Sequence, residues 1–178
     1  MTEEVIFAGF GGQGVLSMGQ ILAYAGMMEG KEVCWMPSYG PEMRGGTANC
    51  NVIVSDDPIV SPIISTYDTV VALNQPSVDK FEDKVKPGGV LIYETSTVTK
   101  PPKRTDIKAI PISANEAAIK LGNQKVFNMI VLGAFIAERK TISDEGVEKG
   151  LSKALPERHH KLIPLNMQAF NKGKEFVK

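Results

Sequence analysis

At 178 residues the chain has room for one domain with its own core and little room for a second, so residues 1–178 read as a single unit. Hydrophobic residues at 43 % and charged residues at 22 % are ordinary globular usage, which sets disorder and low complexity aside. Lys plus Arg equal Asp plus Glu at 20 each, with no basic stripe. That balance argues against a nucleic-acid binder and favours a chain that lies against partners, because self-repulsion is absent.

In chain order, Val5-Ile6-Phe7-Ala8 is an apolar run stopped by glycine, the pattern of a buried parallel strand. Val15, Leu16, Ile21, Leu22, Ala25 and Met28 then fall near helical spacing, and Gly30 ends that helix. Residues 32–36 read as a second strand, completing a βαβ unit. A Gly/Pro-rich loop over 37–46 leads into a strand at 48–54, which alternates Asn49 and Asn51 with Cys50 and Val52. Residues 69–73 form a further buried strand, and Asn74-Gln75-Pro76-Ser77 supplies a helix start with a capping residue and an early proline. Pro87-Gly88-Gly89 reads as a turn before a strand at 90–93, and 107–112 as the last strand. Helices are expected over 114–121, 125–139 and 143–154, with a weaker one after Pro164. Residues 58–65, with two prolines, fit either an edge strand or a loop. Strands alternating with helices predict a three-layer α/β/α sandwich around a mostly parallel, Rossmann-like sheet.

Cys34 and Cys50 both fall in apolar, strand-like runs and read as buried free thiols. Two cysteines do not suffice for an iron–sulfur cluster or a tetrahedral cysteine zinc site. The acidic start Met1-Thr2-Glu3-Glu4 has the wrong sign for a secretory signal, and the longest apolar stretch, 129–137, is too short to span a bilayer. The expected location is the cytoplasm, with neither membrane nor nucleic acid as a partner.

The first strand opens into Gly9-Phe10-Gly11-Gly12-Gln13-Gly14, a Gly-x-Gly-x-x-Gly loop between a strand and a helix. Glycines allow a tight bend and close approach to a phosphate, and the first helical N–H groups and the helix dipole favour an anion. A dinucleotide site also needs an acidic residue at the end of the second strand to hold the ribose. Here that strand ends Trp35-Met36-Pro37-Ser38, while Glu29 and Glu32 stand before it or at its start. No Lys-Ser/Thr follows Gly14, so the Walker pattern fails as well. In a parallel sheet, loops leaving neighbouring carboxyl ends share one edge, so the loop from Ser38 to Gly46, with Arg44 as its cation beside Gly45 and Gly46, is expected next to the glycine loop.

These residues, read together, resemble a known family. Gly9-Phe10-Gly11-Gly12-Gln13-Gly14-Val15, then Ser38-Tyr39-Gly40-Pro41-Glu42-Met43-Arg44-Gly45-Gly46, then Asn51-Val52-Ile53-Val54-Ser55, is similar to the gamma subunit of 2-oxoacid:ferredoxin oxidoreductases. The match continues through Ala72-Leu73-Asn74-Gln75 and Asn128-Met129-Ile130-Val131-Leu132-Gly133-Ala134, covering essentially the whole chain in order. The resemblance implies a part of an enzyme, akin to the coenzyme A-associated domain of single-chain pyruvate enzymes. Such enzymes oxidatively decarboxylate a 2-oxoacid with coenzyme A, giving an acyl-CoA, carbon dioxide and reduced ferredoxin. Thiamine diphosphate and iron–sulfur clusters are expected in partner chains only: alpha and beta subunits, and a ferredoxin-like delta subunit where present, with ferredoxin as the acceptor. The loop wording looks more like the 2-oxoglutarate branch than the pyruvate branch. No catalytic residue or metal ligand is expected here. Coenzyme A contacts are expected from Gly9, Gly11, Gly12, Gln13, Gly14, Ser38, Tyr39, Arg44, Gly45 and Gly46.

Two further readings stay open from the residues alone. One is a free-standing oxidoreductase domain using NAD or FAD, which the missing acid disfavours. The other is an adaptor whose glycine loop packs against a neighbouring chain. Among single residues, His159 and His160 read as a surface turn. Ser17, Asn74 and Gln75 are each explained by helix position as well as by a ligand. Asn128, amid apolar neighbours, needs either an inter-helix hydrogen bond or a subunit contact.

Overall fold

The computed structural model describes residues 1–38 and 47–177, which build a six-stranded sheet with helices on both sides. Strand β1 (Thr2–Phe10) leads through helix α1 (Val15–Met28) to β2 (Glu32–Ser38). Strands β3 (Thr47–Ser55) and β4 (Tyr67–Ala72) follow, then α2 (Gln75–Phe81), β5 (Val85–Glu94) and β6 (Lys108–Ile112). The chain ends in α3 (Ala114–Lys120), α4 (Phe127–Arg139), α5 (Asp144–Ala154) and α6 (Ile163–Lys174). Short 3₁₀ turns at Gln124–Val126 and Glu157–Leu162 precede α4 and α6. No described helix is long and apolar enough to cross a membrane.

The strand order is β2-β3-β1-β4-β5-β6. From β1 through β4 and β5 to β6 every pairing is parallel, whereas β3 runs antiparallel to both β1 and β2. The simple βαβ unit expected from β1, α1 and β2 is thus opened by β3, which lies between its two strands. The reason is the short connection out of β2. A parallel crossover needs a dozen or more residues, so the chain returns as an antiparallel neighbour. Segment 58–65 resolves as coil, its prolines denying it a ladder.

The expected α/β sandwich and mostly parallel sheet are present, with outer layers of unequal weight. Alternate residues of the inner strands (Val5, Phe7, Val52, Val71, Ile92) face α1 and α3 to α6, where Phe7 meets Phe135 edge-on at 5.6 Å. The opposite residues (Ile6, Ala8, Val70, Leu91) pack, among the described residues, only against α2 and its flanking coil, through Val78 and Phe81. Helices α4 and α6 cross at bare backbone. A Cβ on Gly133 would strike the Phe170 carbonyl, and one on Gly173 the Ile130 carbonyl.

The turn expected at Pro87-Gly88-Gly89 lies inside β5 instead. Tyr67 pairs with Val85 and Thr69 with Val90, so β5 bulges by several residues against β4, and Gly88 takes φ +76° at the bend. At the amino edge of the sheet, buried Glu3 accepts hydrogen bonds from Arg139 Nε (2.9 Å) and Nη2 (2.7 Å) and from Thr69 Oγ1 (2.6 Å).

Candidate functional site

The parallel strands β1, β4 and β5 all point their carboxyl ends at one edge, where crevices of α/β sheets collect ligands. The two described ends of the loop after β2 lie at the same edge. Phe10 pairs with Thr47, and Ser38 pairs with Asn49. The expected adjacency of that loop's ends to the glycine loop is therefore met. Tyr39, Arg44, Gly45 and Gly46 lie outside the described residues.

The glycine loop is braced from within. Gln13 Oε1 accepts from Phe10 N–H at 2.6 Å, and Gln13 Nε2 donates to the Leu73 carbonyl at 3.1 Å. Both ends of the Gln13 amide are thus committed to shaping the loop. Gly9, one residue before the end of β1, lies against Gln13 and Leu73 with no room for a Cβ. Gly12 and Gly14 take φ +93° and +74°, the left-handed region that favours glycine. Gly14 is the residue before the first turn of α1, and that turn has neither a side-chain cap nor an acidic residue. Its orphan N–H groups and the positive end of the helix dipole have no side-chain acceptor among the described residues, which suits an anion.

Beside the loop lies a cavity of about 230 Å³, lined by Gly12, Gln13, Glu94, Ser96, Thr97, Asn115, Gln124 and Phe127. Glu94, the last residue of β5, is 1 % exposed. Its carboxylate accepts from Ser96 N–H (3.0 Å), Ser96 Oγ (2.7 Å), Ala114 N–H (2.8 Å) and Asn115 N–H (3.3 Å). It therefore ties the loop after β5 to the start of α3, and its acceptor capacity is filled. Thr97 Oγ1 donates to the Leu73 carbonyl at 2.6 Å, so Leu73 receives both Thr97 and Gln13. The next residue, Asn74, caps α2 through Oδ1 to Ser77 N–H at 2.8 Å, as capping chemistry predicts. Its buried Nδ2 has no acceptor among the described residues.

On the other side of the turn before α4 is a second cavity of about 300 Å³ between α1, α5 and α6. Phe127 lines the first and Asn128 the second. A Cβ on Gly14 would lie 2.9 Å from the Asn128 side chain, so the glycine loop and the first turn of α4 are in direct contact. Asn128 and Ser17 both line the second cavity, and neither side chain has a hydrogen-bond partner among the described residues. The inter-helix hydrogen bond considered for Asn128 is therefore not made within them. His160 Nε2 donates between the carbonyls of Ser152 and Leu155, 2.9 Å from each, pinning the Glu157–Leu162 turn to α5. His159 lines the second cavity, and its Nε2 accepts from Arg158 Nε at 3.2 Å. A wider depression of about 500 Å³ near Met28 and Lys149 opens on the surface away from this edge.

The sequence locates the glycine loop but not Glu94, Thr97, Asn115, Gln124 or Phe127. One signal for Glu94 was available: a carboxylate closing an otherwise apolar strand must find donors when buried. Glu29, one of the two acids ahead of the dinucleotide position, is instead occupied at the far end of α1. It accepts from Ser143 N–H at 2.8 Å. Burial pushes the Cys50 thiol up to about 12, while Cys34 is partly exposed on the edge strand β2.

The family model described as pyruvate ferredoxin/flavodoxin oxidoreductase matches residues 4–176. The ketoisovalerate oxidoreductase subunit VorA of Methanothermobacter thermautotrophicus is 40 % identical over 175 residues, which are 98 % of this chain and 36 % of that protein. The chain thus spans little more than a third of its VorA relatives. The 2-oxoglutarate synthase subunit KorC of Methanocaldococcus jannaschii is 34 % identical over 185 residues, covering 100 % of this chain and 95 % of that one. Among solved structures, the gamma subunit of a keto/oxoacid ferredoxin oxidoreductase from Geobacter sulfurreducens superposes with a TM-score of 0.83 at 34 % identity, covering 98 % of this chain and 95 % of that chain. The 2-oxoglutarate:ferredoxin oxidoreductase of Magnetococcus marinus, with 2-oxoglutarate, coenzyme A and succinyl-CoA bound, gives a TM-score of 0.88 at 27 % identity, covering 99 % of this chain and 31 % of that chain.

Proposed function

The chain belongs to the pyruvate ferredoxin/flavodoxin oxidoreductase family, and from that membership we propose that it is the gamma-type component of a 2-oxoacid:ferredoxin oxidoreductase. On this reading the assembled enzyme decarboxylates a 2-oxoacid oxidatively, passing the acyl group to coenzyme A and electrons to ferredoxin. Thiamine diphosphate and iron–sulfur clusters belong to alpha, beta and, where present, delta partners, and the complex works in the cytoplasm. The observation that carries the reading is the end-to-end correspondence with KorC, a subunit of this chain's own length class. The oxoacid is 2-oxoglutarate or a related acid such as ketoisovalerate, following the names of KorC and VorA.

The part assigned to this chain is to hold coenzyme A. A pyrophosphate on the uncapped first turn of α1 would receive backbone N–H groups and the positive end of the helix dipole. Gly12 and Gly14 allow the loop to pass close beneath it, and Ser38, Tyr39, Arg44, Gly45 and Gly46 complete the site, with Arg44 as its cation. No side chain here is assigned a chemical step.

Affinity purification of the tagged chain tests the assignment. Alpha- and beta-type subunits are expected to co-purify, and the complex to reduce ferredoxin with coenzyme A and either 2-oxoglutarate or ketoisovalerate. Recovery of the chain alone with stoichiometric iron would refute it. In the assembled complex, Gly12→Asp is expected to weaken coenzyme A binding at least tenfold while assembly survives. Loss of assembly with unchanged coenzyme A affinity would favour the adaptor reading.

A further inference from the structure

The two cavities flanking the Gly14–Asn128 contact differ in chemistry. The loop-side cavity presents neutral hydroxyl and amide groups, Thr97, Asn115 and Gln124, against the Phe127 ring. It has no cation among its described lining residues and contains the Glu94 carboxylate, so a phosphate dianion there meets like charge. The second cavity is the reverse. Among the described residues no carboxylate lines it, and exposed Lys125 on its lining has no carboxylate partner. Its floor is apolar, with Ile21, Leu151 and Leu155. Gln20 and Asn128 add side-chain amides with no partner among the described residues.

Unpaired amides over an apolar floor suit an aromatic heterocycle with hydrogen-bonding edges, and an unpaired ammonium suits a phosphate. Ser17 and Ile21 share one face of α1 at i and i+4, so the second cavity begins within one turn of the proposed pyrophosphate position. We propose that the second cavity is a nucleotide pocket, taking a purine ring on the Ile21 and Leu155 floor and a ribose phosphate at Lys125. The loop-side cavity then takes the amide-bearing thiol arm of the same ligand. The proposal rests on the coenzyme A reading above and adds to it an orientation: phosphorylated nucleoside toward α5, thiol toward Thr97 and Asn115.

Coenzyme A and 3′-dephospho-coenzyme A, titrated into the purified complex, test it with wild type, Lys125→Gln, and Lys161→Gln as a surface control. The expectation is that wild type and Lys161→Gln bind coenzyme A at least tenfold more tightly than its dephospho form. Lys125→Gln should abolish that preference and leave dephospho-coenzyme A binding unchanged. Adenosine 3′,5′-bisphosphate should compete with coenzyme A on wild type and lose that competition on Lys125→Gln. If coenzyme A binds wild type and Lys125→Gln keeps the full preference, the nucleotide pocket is refuted while the glycine-loop reading stands. If neither form binds wild type, the glycine-loop reading itself falls.

Discussion

Gly12 and Gly14 share positive φ but stand in different surroundings, and substitution separates the two effects. A Cβ on Gly12 meets nothing within 4 Å, so Gly12→Ala bears only the left-handed backbone cost of about 1–2 kcal/mol. A Cβ on Gly14 lies 2.9 Å from Asn128, which adds overpacking of roughly 1–2 kcal/mol. Urea unfolding should therefore rank Gly14→Ala below Gly12→Ala, with both below wild type. At the opposite edge, burial holds the Glu3 carboxyl above the usual carboxylate range although Arg139 and Thr69 both pull it down. Arg139→Ala leaves that carboxylate with Thr69 alone among its side-chain donors, and a loss of about 3 kcal/mol is expected at neutral pH. The sign of its pH dependence follows from linkage. The folded variant holds the Glu3 proton more tightly than the unfolded chain, so its stability falls as pH rises through the window between the two values. Unfolding measured against pH should show the deficit largest above that window and shrinking as pH drops into the carboxylate range. The cysteines separate as cleanly. With its thiol at about 12, Cys50 should resist iodoacetamide in the folded protein, while partly exposed Cys34 reacts, as peptide mass mapping would record.

Among the elements, α4 and α6 show how close packing depends on the absence of a side chain. Each helix presents a glycine to a backbone carbonyl of the other, so Gly173→Ala must push the Ile130 turn away. A loss of about 2–3 kcal/mol in thermal unfolding is expected, more than from an exposed alanine substitution such as Lys172→Ala. The same locality decides what was legible from sequence. β1, α1 and β4 announce themselves through apolar runs ended by glycine or a capping Asn, because those signals act within a few residues. The position of β3 between β1 and β2 is a matter of long-range pairing, and no residue in 48–54 encodes its neighbour. Gly88 reads as a turn because positive φ serves a bulge as well as a turn. Only the partner strand tells them apart. The site divides likewise: the glycine loop is a local motif, whereas Glu94, Asn115 and Phe127 meet only once β5, α3 and α4 are packed.

At the scale of the whole molecule, one sheet face carries α1 and α3 to α6, and the other, among the described residues, carries only α2 and coil. Phe10 and Met36 stand on that lighter side, both partly exposed, with Val60 and Ile63 of segment 58–65 largely open to solvent. The purified chain alone is expected to bind neither iron nor thiamine diphosphate, with no visible cluster absorbance, since the proposed function leaves both to partners. The topology also sets a timetable for synthesis. Of the six strands β1 is synthesised first, yet its neighbours lie at Thr47–Ser55 and Tyr67–Ala72. Until about residue 55 has emerged, the apolar run from Val5 to Ala8 has no native strand on either side, and until residue 72 it lacks the one on its β4 side. The nascent chain must carry an unpaired, aggregation-prone core strand through that interval, and a slow-codon stretch or chaperone contact placed there would act on yield rather than on final stability.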